Sequence, residues 1–83
     1  MSLQDNINKL KAEALVLSTC FGLSSEQLAP VEQAIKASDE LWNFPGYVNP
    51  TELEAAADAI NDAIEDVCLA NKISDMQIEQ LLP

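Results

Sequence analysis

Leu3, Ile7, Leu10, Ala14, Leu17 and Phe21 follow one another at steps of four, three, four, three and four. A helix of about 3.6 residues per turn returns all six side chains to one face, whereas a strand scatters them over both. Leu15, Val16 and Cys20 widen that stripe. The pattern predicts a first helix over residues 3–21, buried on more than one side, with Gly22 as its stop. No stretch alternates apolar and polar residues long enough to make a strand, so the expected fold is all-α.

The later helices are marked by their caps. In "GLSSEQL", Ser24 can accept from the amide at position 27 while Gln27 reaches back, and Leu23 and Leu28 stand where a hydrophobic staple needs them. Pro30 either ends that element or begins the next, so a short turn at 25–29 and a separate helix over 30–43 are expected. Val31, Ala34, Ile35, Ser38, Leu41 and Trp42 then face inward, and Glu32 pairs with Lys36 outside. The strongest start signal is "VNPTEL", with Asn49 as cap, Pro50 first in the helix, Glu52 as return partner and Val48 with Leu53 as staple. A long helix over 50–70 follows, its inner face Leu53, Ala56, Ala57, Ile60, Ala63, Ile64, Val67 and Cys68. "ISDMQIEQLL" repeats the Ser24 device with Ser74, Gln77, Ile73 and Ile78, and predicts a last helix over 75–82. The architecture expected is a small helical bundle, three main helices plus one or two short ones, in a single domain.

Fourteen carboxylates face four lysines, with no arginine and no histidine, for a net charge of −10. Residues 1–21 balance, Lys9 and Lys11 against Asp5 and Glu13, so the whole excess lies in residues 22–83. Such a chain repels nucleic-acid phosphates and anionic membranes. A basic protein surface is the complementary partner, and a nucleic-acid-binding protein is the first candidate. Enzymatic equipment is nearly absent: there is no histidine base, no arginine clamp, no glycine-rich phosphate loop, and no basic neighbour in sequence to activate Cys20 or Cys68. No catalysis, cofactor or metal is expected. Two cysteines are too few for a secreted disulfide scaffold; free, half-buried thiols in a reducing cytoplasm are one expectation and a single bridge between them the other. No segment reaches the ~20 apolar residues of a membrane span, and no signal peptide is expected.

Two features stand out as candidate binding determinants. Glu54, Asp58, Asp62 and Asp66 recur every four residues, so they stack along one helix face, with Glu65 beside them and no lysine between. Like charges at this spacing repel by roughly 0.2–0.5 kcal/mol per pair. The spacing therefore costs helix stability, and a partner's basic groove is what it would match; the other reading is a solvated face that only aids solubility. The second feature is "WNFPGY", which gathers Trp42, Phe44 and Tyr47 around a Pro45-Gly46 turn. Trp42 and Phe44 are expected to seal one end of an alanine-rich core, leaving Tyr47 as the more exposed ring; Trp42 and Tyr47 are also the aromatic candidates for anchoring a partner.

Residues 34–47, "AIKASDELWNFPGY", resemble a stretch found in the small acidic phage anti-CRISPR proteins, through Ala34, Ile35, Asp39, Leu41, Trp42, Gly46 and Tyr47. Those proteins block a basic nucleic-acid-binding surface with carboxylates, so the resemblance implies an acidic inhibitor but transfers no site. It stops at Tyr47, where that family is strand-rich and this chain begins a helix. The functional expectation is a non-enzymatic acidic binding protein, a phage or mobile-element inhibitor acting by nucleic-acid mimicry. The alternative is a structural domain that forms a homodimer through its first helix, its acidity serving only solubility.

Overall fold

The computed structural model describes residues 2–82 and contains four helices: α1 (Leu3–Thr19), α2 (Ser25–Trp42), α3 (Pro50–Asn71) and α4 (Asp75–Glu79). Among the described residues there is no strand, and the fold is an all-α bundle of three long helices and one short one. α2 and α3 form the most extensive pairing; α1 packs across both, and α4 closes against α1. None of the helices is long and apolar enough to cross a membrane.

The two serine capping boxes form as the sequence dictates. Ser24 Oγ accepts from the Gln27 amide at 3.3 Å while Gln27 Oε1 accepts from the Ser24 amide at 2.9 Å, and Ser74 with Gln77 repeats the geometry at 3.3 and 2.8 Å. Asn49 behaves differently from the expected box. Its Oδ1 accepts from Thr51, at 2.9 Å, and the Glu52 amide is taken by the Asn49 backbone carbonyl, also at 2.9 Å. An asparagine side chain that closes on the second helical amide leaves no reciprocal geometry for Glu52.

Other boundaries move for tertiary reasons. No break separates 25–29 from 30–43: α2 runs straight through Pro30. Proline removes one helical donor and crowds the carbonyl four residues back. Here Leu28 and Val31, on either side of it, are both buried in the core, and that packing holds the turn in place. The first helix stops at Thr19, short of 21; Gly22 takes a left-handed φ of 68°, and the Leu23 amide returns to the Leu17 carbonyl at 3.2 Å. The last helix ends at Glu79, short of 82, because beyond Ile78 the apolar residues dock incompletely, with Leu81 exposed.

The core is mainly aliphatic: Leu10, Val16, Leu17, Leu28, Val31, Ile60, Ile64, Val67, Cys68 and Ile78 form one buried cluster, with Phe21 packed half-buried against it. The expectation that Trp42 and Phe44 seal its end is corrected, because both rings are exposed. Ser38 is the last fully buried residue of α2, and Trp42, one turn further on, lies past the layer that could cover an indole. Leu15 and Cys20 are exposed, but α1 is buried on more than one side, with Val16 in the core beside Leu17 and with α2, α3 and α4 all packed against it. The thiols are free, Cys20 on the surface and Cys68 in the core, and neither is the half-buried group expected.

Ser38 is completely buried, and its hydroxyl has no hydrogen-bond partner in the protein. An unpaired buried hydroxyl costs roughly 1–3 kcal/mol, and serine is a poorer helix former than alanine. Ser38→Ala is therefore expected to raise unfolding stability by about 1 kcal/mol or more, read from urea midpoints at unchanged slope. A lower midpoint would show that the hydroxyl is satisfied in solution.

Candidate acidic docking face

The α3 sequence places its charges before any tertiary contact does. At about 100° per residue, Glu54, Glu65, Asp58, Asp62 and Asp66 fan across roughly 120° of helix surface. The residues that α3 buries, Ala57, Ile60, Ile64, Val67 and Cys68, fall on the opposite side. All five carboxylate residues are exposed. Among the described residues the only ion pairs are Lys9–Glu79 at 3.7 Å and Lys11–Asp39 at 2.6 Å, and neither touches this face. The Glu32–Lys36 pair expected from spacing does not form; exposed pairs of this kind gain too little to overcome side-chain freedom and hydration. One local contact softens the face, the Asn61 amide donating to Glu65 Oε1 at 3.3 Å.

The face is also electrostatically biased along its length. A helix carries partial negative charge at its C-terminus, where cations are favoured. Glu65 and Asp66 sit in the last two turns of α3, and its last turn holds no basic residue. Lys72 follows in the left-handed conformation, φ 57°, its amide donating to Leu69, and its side chain is in no ion pair.

The aromatic loop lies at the other end of α3. Tyr47 is 85% exposed, Phe44 is exposed, and Trp42 is 39% exposed. Phe44 folds back over Gly46 so closely that a Cβ there would come within 2.8 Å of Cε1 of the ring, so any larger residue would push this exposed ring aside. The structure thus holds Trp42 and Tyr47 at the start of α3 and the five carboxylates along its outer side. It does not bring the rings and the far carboxylates together.

Sequence reasoning missed the C-terminal end of this helix. Leu69 falls inside the carboxylate arc and is 79% exposed. Two apolar grooves flank it. One, of about 330 Å³, is lined by Glu65, Cys68, Leu69, Ile73, Ser74 and Asp75. The other, of about 320 Å³, lies between α2 and α3 beside Pro30, Asp66, Val67 and Ala70. The helical spacing already put Leu69 outside, which was the available signal; the grooves need α2 and α4 in place.

Around the first groove the titration behaviour reflects burial first and neighbouring negative charge second. Burial pushes the Cys68 thiol above its ordinary value, with Asp75, Glu13 and Glu65 adding to the effect. Burial likewise raises Glu13 above 4.5; Lys9 opposes this, and Asp75 and Glu79 reinforce it. The fold thus disfavours ionised Glu13, so stability falls as pH rises from 4.5 through the folded-state value and returns on acidification. Glu13→Gln is expected to melt above the wild type at pH 7, the difference shrinking as pH drops toward 4.5. A gap that persists unchanged at low pH would assign the effect to packing.

Cys68 is therefore a poor nucleophile, and no group of three or more His, Cys, Asp or Glu side chains is placed to hold a metal among the described residues. No protein family, curated protein or solved structure matches this chain.

Proposed function

We propose that this protein is a non-enzymatic acidic binding module that docks on a basic protein surface through the outer face of α3. The observation that carries the reading is the set of five exposed, unpaired carboxylates, Glu54, Asp58, Asp62, Glu65 and Asp66, on one helix. Their mutual repulsion is a stability cost that a solubilising surface could avoid by alternating charges. The concrete form of the proposal is an inhibitor, of phage or mobile-element type, that imitates nucleic acid. Residues at i and i+4 rise about 6 Å along a helix, close to the phosphate spacing along a strand. Tyr47 and Trp42, both exposed, supply aromatic contact at the near end. An exposed free thiol at Cys20 fits a reducing, cytoplasmic setting.

The competing reading, a homodimer through α1, has less to draw on. That helix spends Ile7, Leu10, Val16 and Leu17 inside its own chain, and Leu15 is the large apolar side chain it leaves exposed. The test is affinity capture from the native host at low and high salt. A basic partner retained at low salt and released as salt rises supports docking by charge, and salt-independent capture rejects it.

A further inference from the structure

We propose that the C-terminal end of α3 is the anchor point of the docking face, and that its occupant is a basic amphipathic segment of the partner. An apolar side chain of that segment enters the groove between α3 and α4, and its lysine or arginine side chains meet Glu65, Asp66 and Asp75. The inference rests on the docking reading above and names the chemistry of the bound element.

Two independent properties of the surface meet here. The first is apolar. Leu69 is 79% exposed in the middle of the carboxylate arc, and Met76 on the adjoining α4 is 70% exposed. The groove beside Leu69 has a floor that includes Cys68 and Ile73. An acidic ridge meant only for solvation has no use for an exposed leucine in line with it at its C-terminal end, whereas a binding face needs a desolvated anchor within a charged rim. The second is charge. Glu65 and Asp75 stand on the rim of the groove, Asp66 stands on the rim of its neighbour, and no lysine lines either. Lys9 is held by Glu79, which leaves Lys72, the cap of α3, as the cation at this end against three carboxylates. The negative end of the α3 dipole adds to the same potential. An acidic segment would meet net repulsion and a neutral apolar one would leave these carboxylates desolvated; a basic amphipathic one satisfies both properties.

The aromatic loop is the rival anchor. It sits where the positive end of α3 meets the negative end of α2, and the carboxylates free to flank it are Glu52 and Glu40, since Asp39 is held by Lys11. That makes it the weaker place for a cationic segment.

The experiment uses two synthetic probes of equal positive charge: a 14-residue helical peptide of leucine and lysine, and an oligolysine. Each is titrated into ¹⁵N-labelled protein at low salt, wild type and Leu69→Ala. Leu69 is exposed, so its truncation leaves the core intact. The expected result is tighter binding of the leucine–lysine peptide, amide shifts centred on residues 65–75, and about a tenfold loss of that affinity in Leu69→Ala with oligolysine unaffected. Equal binding of both probes, insensitive to Leu69→Ala, or shifts centred on residues 42–48, would overturn the anchor and leave the acidic face standing. Failure of both probes to bind would remove the docking reading and the anchor together.

Discussion

Truncating Ile60 to alanine is expected to remove about 2–5 kcal/mol of stability and to lower the melting temperature by on the order of 10–30 °C. Ile60 is fully buried at the middle of α3, the helix on which both α1 and α2 pack. The loss combines the transfer free energy of three carbons with the cavity they leave, and neighbouring isoleucine and valine side chains are too stiff to close it. A chain of this size has roughly 4–12 kcal/mol of stability in total, so the variant sits near the edge of folding at 37 °C. Far-ultraviolet circular dichroism on heating gives the answer directly. A melting temperature within a few degrees of the wild type would mean that the helices pack loosely around this position and that the core just described is wrong.

Reversing two charges on the outer side of the same helix is expected to do the opposite to the fold and far more to binding. In Asp58→Lys/Asp62→Lys, the repulsive spacings 54–58 and 62–66 become attractive, and two aspartates give way to better helix formers. The fold should gain about 1 kcal/mol. Affinity for a basic partner should fall by on the order of tenfold or more, mostly through slower association, and the dependence of affinity on salt should flatten. The opposed signs make the test discriminating: a stabilised protein that has lost its partner identifies the carboxylates as contacts. Unchanged capture by the double variant would reduce the acidic face to a solvated surface.

Local chemistry was the legible part of this chain. Both serine capping boxes are readable because each is decided within four residues, and the α3 stripe is readable because its period is unbroken over five turns. Pro30 defeats the same logic, since buried Leu28 and Val31 keep a helix going that proline alone would interrupt. Trp42 defeats it in another way. Its spacing from Ser38 places it on the inner stripe, but periodicity cannot say how far along a helix its neighbours extend. For the candidate site, the alignment of Glu54, Asp58, Asp62 and Asp66 follows from counting, and so does the outward position of Leu69. The grooves that give Leu69 its interest arise where three separate elements meet, which counting along one of them does not reveal.

The position of Trp42 at the edge of the aliphatic interior has a practical consequence for spectroscopy. The protein's one indole, Trp42, sits at the surface end of α2, beside the loop that carries Tyr47 and at the head of the acidic helix. At 39% exposure the indole is partly covered by the fold, so unfolding should shift its emission to the red, while a bound macromolecule that covers the rim should shift it to the blue. The chain thus carries a built-in optical probe that answers denaturation and occupancy of the near end of α3 with shifts of opposite sign.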